Sequence, residues 1–394
     1  MNNSIPLLLF ILTFTFLANC TERKSNLSPP ETPSQVLNDF VRSAPFQYIN
    51  LDEVKSELIE VGEEDIIYSI HNSKADEPLL GFIASMIKVE DRFYINSEKS
   101  IFEVNSEGKI KGPLTRLGKG PGEQNTRGML LTNSEFIYVS DANNGRINRY
   151  THNMEIADAL FGFMSSMEVD LNNEQLLVYN RHSNGFAPAK PEQGLIVAST
   201  LNNLEDTLGT FMPRIIPVGY QPGVYNRTKF SINGNSQIAA SYIPLPWFFL
   251  FDENQNHVQT LIMEYSIFQT MNIPSMEFFK PKGNEGFGGT MPVTGYKLMD
   301  NGDIFMIIVF KSDSASTTNE GINDVHPTNN WELIKLSASH NGTYKIAGKY
   351  RFKYTGKEHA MWGIISPPIP SDKENEFYAH NNEYIFKIVL HPSH

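Results

Sequence analysis

One cysteine is all the chain has, so it has no partner within the molecule. Intramolecular disulfides and Cys-ligated zinc or iron–sulfur centres are therefore excluded. Charge is scarce too, at 19% Asp, Glu, Lys and Arg against about 25% in ordinary soluble domains. What charge there is leans acidic, 44 Asp and Glu against 32 Lys and Arg, for a net −12, which argues against a nucleic-acid surface. No apolar run of ~18 residues occurs after residue 20, so no spanning helix is encoded beyond that point. Catalytic signatures are missing as well. There is no His-Glu-x-x-His, no Gly-x-Ser-x-Gly, no Walker loop and no EF-hand spacing. The ten histidines are scattered, among them His326, His340, His359 and His380, and their separation reads as surface or pocket-rim placement rather than metal ligation. Apolar residues, in contrast, are plentiful at 40%, with 11% aromatics, which is enough to build a large core and excludes global disorder.

The cysteine stands at an informative place. Residues 5–18 (IPLLLFILTFTFLA) form an apolar stretch shorter than a bilayer span, closed by small and polar residues, which is the pattern of a signal sequence. Leu17-Ala18-Asn19-Cys20 resembles the bacterial lipobox, and the resemblance implies that Cys20 becomes the lipidated first residue of the mature chain. Residues 1–19 then read as a lipoprotein signal peptide. Residues 20–45, rich in Ser, Thr, Pro and charge, read as a flexible tether. The folded domain is expected over 46–394, held in the bacterial cell envelope at the outer membrane.

Within that domain a weak repeat recurs: two short apolar runs around a turn of Asn, Asp and Gly, then a third run. The six units pair 87–89 with 92–97 and 100–104; 128–132 with 136–141 and 146–150; 167–170 with 175–180 and 194–199; 229–232 with 237–243 and 247–252; 295–299 with 304–310 and 331–336; and 362–366 with 376–380 and 383–390. β-Branched and aromatic residues fill the runs, and turns such as Asn233-Gly234 and Asn301-Gly302 are hairpin signals. Units of about 40 to 50 residues, the later ones lengthened by inserts, each a small antiparallel sheet, indicate an all-β chain and a six-bladed β-propeller. The first five units have room for a fourth, outer strand, whereas the sixth ends at His394. Residues 57–70 (ELIEVGEEDIIYSI) have the apolar content to supply it, so the ring is expected to close by an N-terminal strand joining the last blade.

Leu117-Gly118-Lys119-Gly120-Pro121-Gly122-Glu123, followed by SDANNGRINRY at 140–150, resembles the signature of bacterial six-bladed propeller lipoproteins related to NHL-repeat and TolB-like propellers. That resemblance implies fold and location more than chemistry. Each signature residue has a structural reading: Gly118, Gly120, Pro121, Gly122 and Glu123 as a tight inter-blade connection, Asp141 and Asn144 as turn formers, Arg146 packed along the blade. The alternatives are a phosphate cradle, which lacks the Gly-Lys-Ser/Thr ending onto a helix, and a ligand pocket lined by Asp141, Asn144 and Arg146.

Binding is expected in three inserts, 181–193, 273–292 and 311–330, because loops on a rigid scaffold vary without disturbing its core. The second carries Phe278, Phe279 and Phe287, either an adaptable apolar surface or rings that pin the loop. Trp247, Trp331 and Trp362 start runs in successive units and either stack on a ligand or fill the wedge between blades. The sequence thus predicts a noncatalytic binding module for a glycan, peptide or envelope protein. No cofactor is called for. The alternative is a lactonase-like or esterase-like hydrolase with an axial Ca²⁺ held by oxygen ligands from several blades.

Overall fold

A computed structural model describes residues 33–70, 81–98, 100–125, 128–161, 168–179, 194–203, 206–215, 228–243, 245–266, 293–311, 329–354, 368–371, 373 and 375–390. Six small sheets follow one another along the chain. Blade 1 is Ile83–Val89, Arg92–Ser97, Ser100–Asn105 and Ile110–Lys111, and blade 2 is Leu130–Thr132, Phe136–Asp141, Arg146–Thr151 and Ile156–Phe161. Blade 3 is Val169–Leu171, Gln175–Tyr179, Ile196–Thr200 and Thr207–Phe211, and blade 4 is Thr228–Ile232, Ile238–Tyr242, Trp247–Phe251 and His257–Glu264. Blade 5 is Val293–Leu298, Ile304–Lys311, Asn329–Ala338 and Tyr344–Tyr354, and blade 6 starts with Ile369–Pro370, Glu376–His380 and Tyr384–Val389. Within each blade successive strands are antiparallel from the inner to the outer edge. The expected inner run of the sixth unit, 362–366, lies outside the described residues.

Six apolar clusters occupy the six blade-to-blade interfaces. Tyr138, Ile147 and Leu160 of blade 2 pack on Val169, Leu171 and Leu176 of blade 3, and the pattern repeats around the ring. The seam that closes it puts Ile385 of blade 6 and Tyr68 against Ile83, Phe93 and Ile95 of blade 1. Both faces of every sheet are covered, which is why so many strands are wholly apolar instead of alternating: Trp247–Phe251 is buried at every position.

The N-terminal segment is a strap over three blades. Strand β1 (Phe46–Asn50) adds in parallel to the outer strand of blade 4, and β2 (Glu57–Val61) adds in parallel to that of blade 5. Strand β3 (Ile66–Ser69) adds antiparallel to Tyr384–Val389 as the fourth strand of blade 6. The closing strand is therefore N-terminal, as expected. It is shorter than the 57–70 run, because Gly62 and the turn Glu63–Asp65 divide that run between two blades.

A second difference concerns the tether. Helix α1 (Pro33–Arg42) occupies part of the segment expected to be a flexible spacer. Leu37 and Val41, one helical turn apart on one face, are buried in the blade 3–blade 4 cluster, and Phe40 stacks on Phe249 at 4.9 Å. Composition pointed to a spacer because Ser, Pro and charge dominate the segment as a whole. Its apolar triplet at i, i+3 and i+4 decided the local structure.

Candidate functional site

The two ends of the ring differ in kind. At one end the inner strand turns into the second and the third into the outer, and each of these turns is short. The residues at the inner turns, the Asn-rich positions of the repeat, bind neighbouring blades together. Asn172 uses its carbonyl oxygen to accept from the Glu174 and Gln175 amides of its own turn, while its NH₂ donates to Asn233 O (3.0 Å) and Ser236 Oγ (2.9 Å) on the next blade. Asn233 does the same one blade on, folding its turn through the Asn235 and Gln237 amides and donating to Met299 O at 3.0 Å. Gly234 N and Asn235 Nδ2 then reach Asp300, at 2.6 and 2.7 Å. At these two turns one side chain both shapes the hairpin and fastens it to the next blade.

The opposite end carries every other connection. Second and third strands join there, through residues 180–193 in blade 3 and 312–328 in blade 5, and blades join one another there, through 216–227, 267–292 and 355–367. All three inserts singled out in the sequence leave from this end, although 181–193, 273–292 and, of 311–330, residues 312–328, with Phe278, Phe279, Phe287 and Trp362, lie outside the described residues; Lys311, Asn329 and Asn330 belong to the flanking strands. Cys20 lies outside them too.

Along the axis the free edge of each inner strand has amide and carbonyl groups without a strand partner. Polar side chains from the preceding blade fill part of that need. Ser85 Oγ accepts from Leu130 N (3.0 Å), Asp170 Oδ2 from Ile232 N (3.0 Å) and Ser231 Oγ from Leu298 N (3.1 Å). Asp170, the one carboxylate on the described inner strands, also meets Lys297 Nζ of blade 5 at 3.2 Å. Its charge is committed to holding blades 3, 4 and 5 together. Among the described residues no three His, Cys, Asp or Glu side chains come together to hold a metal ion.

The signature residues assemble into one clamp between blades 1 and 2. Asn144 Nδ2 donates to Gly118 O at 2.9 Å and to Asp141 Oδ2 at 2.6 Å. Arg146 donates to three backbone carbonyls of the connection, Lys119 O (3.1 Å), Gly120 O (2.6 Å) and Glu123 O (2.7 Å), and its Nε lies 3.5 Å from Asp141 Oδ2. Asn148 and Tyr150, two and four residues on and so on the same strand face, donate to Glu123 O and Gly122 O. The glycines follow from the fit. A Cβ at Gly118 or Gly120 would stand 2.1 or 2.9 Å from Glu123 Oε2, the atom that accepts from Gly120 N at 2.7 Å. Gly122 has φ +71°, in the left-handed region. Asp141 is fully buried, Arg146 nearly so, and both are spent on the backbone of the loop, with Asp141 Oδ1 accepting from Asn125 N. No anion cradle is left over, because the polar groups of the motif face one another.

Trp247 and Trp331, weighed as ligand platforms, are core residues. Trp247 is buried between blades 3 and 4, and Trp331 between blades 5 and 6, where it stacks on Phe352 at 3.9 Å and 13°. His380, expected at a surface or pocket rim, is fully buried at the end of a blade 6 strand. Burial lowers its pKa to about 4, offset only in part by a hydrogen bond to Asn381 O, and among the described residues Nε2 has no partner.

No family model and no curated protein matches the chain. Among solved structures it is similar to a protein of Bacteroides fragilis described as exported, with 11% identity over 85% of this chain and 100% of that one and a TM-score of 0.49. It is similar also to a member of the DUF4221 family from Bacteroides vulgatus, with 12% identity over 80% and 94% of the two chains and a TM-score of 0.46. A catalytically inactive virginiamycin B lyase from Staphylococcus aureus gives 11% identity, 80% and 97% coverage and a TM-score of 0.40.

Proposed function

We propose that the chain is a lipid-anchored binding module of the bacterial cell envelope, noncatalytic, that grips a glycan, peptide or envelope protein at the end of the ring from which its long connections emerge. The observation that carries this reading is the sorting of the connections. Short turns, cross-linked by Asn172, Asn233 and Asp300, finish one end, and every long connection leaves from the other. A scaffold whose blades are locked together can vary such connections without cost to its core. Cys20 supplies the anchor in this reading, and the signature clamp supplies rigidity and not chemistry.

The test is capture of glycans on an array, and of envelope proteins from a detergent extract, by the intact domain and by variants in which 181–193, 273–292 or 312–328 is replaced by a short Gly-Ser linker. Specific capture lost in one of these variants while the melting temperature is kept supports the reading. The rival, an axial Ca²⁺ hydrolase, predicts one tightly held Ca²⁺ per chain and an esterase or lactonase activity that chelation abolishes, and that outcome overturns it. Replacing Cys20 by Ala is expected to move the protein from the membrane fraction to the soluble one.

A further inference from the structure

A buried carboxylate lies where the strap crosses from blade 4 to blade 5. Glu332, on the third strand of blade 5, is fully buried. Its Oε1 accepts from Ser56 Oγ of the strap (2.6 Å) and from Arg351 (2.7 Å), and its Oε2 accepts from Tyr265 Oη (2.7 Å) at the end of blade 4. Lys349, also buried, stands 3.8 Å from Glu332, donates to Leu51 O of the strap at 2.9 Å and lies 4.1 Å over the Tyr265 ring. Beside them Asp52 of the strap accepts from both Ser266 N and Ser266 Oγ, each at 2.7 Å.

Seating the strap does not need these charges. Ile49, Leu51, Ile59 and Val61 already bury it in the apolar seams on either side. A buried ionic network costs desolvation that apolar residues of the same size avoid, and its best-attested benefit is to fix one arrangement among several. Here the groups it brings together are the strap and Tyr265–Ser266, the last residues before the connection that begins at 267.

We infer that the strap turn 51–56 is a latch for Tyr265–Ser266. The seating of the N-terminal segment and the exit of the chain from blade 4 toward the open end form one coupled equilibrium, with Glu332 and Lys349 as the shared node. This stands independently of what the open end binds.

Hydrogen–deuterium exchange on the full chain tests it. Ser56 and Tyr265 hydrogen-bond to opposite oxygens of Glu332, so in this inference Ser56→Ala acts on Tyr265–Ser266 through that carboxylate. The inference expects the Ser266 amide to exchange about tenfold faster in Ser56→Ala as well as in Asp52→Ala, with the Ile304–Ile308 amides unchanged and Ser56→Thr close to wild type. If Asp52→Ala alone changes Ser266, the bond is merely local and the coupling is refuted. If Ser56→Ala accelerates the Ile304–Ile308 amides as much as Ser266, the network is a general stabiliser of blade 5 and not a latch, which also overturns it.

Discussion

Acid should loosen this ring through one histidine. His380 has an ordinary pKa of about 6.5 in the unfolded chain and about 4 in the fold, where desolvation opposes the imidazolium. Because the folded value is the lower one, the unfolded chain takes up a proton that the fold refuses as pH falls from 7 toward 4. The stability tied to the neutral ring is thus complete above about pH 6.5 and is lost on acidification. Each pH unit between the two values is worth about 1.4 kcal/mol, which puts the loss between pH 7 and pH 5 at about 2 kcal/mol, levelling near about 3 kcal/mol below pH 4. His380→Asn keeps a donor at the Nδ1 position for Asn381 O and does not titrate. Urea unfolding of both proteins at pH 7 and pH 5 isolates the effect from the carboxylates they share. The wild type is expected to lose about 2 kcal/mol more than the variant. Equal losses, within about 0.5 kcal/mol, refute the argument that burial holds this ring neutral.

Arg146→Lys removes the fork that spans three backbone carbonyls and is expected to cost about 2–4 kcal/mol of unfolding free energy in urea, with any ligand capture by the folded protein unchanged. Trp331→Ala leaves a cavity beside Phe352 and should cost about 3–5 kcal/mol, read as a lower melting temperature. Asn233→Ala breaks a turn and a blade-to-blade bond together; a cost of about 1–3 kcal/mol is expected, and Asn235→Ala, which loses only the Asp300 contact, should cost less.

The fold was legible because its signal is repeated. Six hairpins around Asn, Asp and Gly turns, and a last unit short of one strand, sufficed to predict the blade number and an N-terminal closing strand. The signature loop was legible for the same kind of reason, since glycines packed against Glu123 leave a pattern in the sequence. What could not be read was non-local. Nothing near residue 50 announces that Phe46–Asn50 and Glu57–Val61 will lie on strands more than 200 residues away. The tether ran too far because composition averages over a segment, and Leu37, Phe40 and Val41 were outvoted by their neighbours. Trp247, Trp331 and His380 exemplify a further limit: an aromatic or imidazole ring in or at the end of a strand looks the same in sequence whether it meets solvent or the next blade. The Asn turns were recognised as turns, but that their amides also reach the adjacent blade depends on curvature that no local pattern encodes.

The strap fixes an order of events in synthesis. Gln47 pairs with the backbone of Tyr344, 297 residues later, and β3 finds its place only when Tyr384–Val389 exists. The first strands to leave the ribosome are therefore among the last to be placed, and contacts of such separation form slowly. Until then the outer edges of blades 4, 5 and 6 stand open, and open edges pair with whatever strand is nearby. A nascent chain of this kind stays open to mispairing until its last strands are made. Damage also travels between the termini: a stop codon a few residues before Tyr384 leaves β3, at the other end of the gene, with no strand to join.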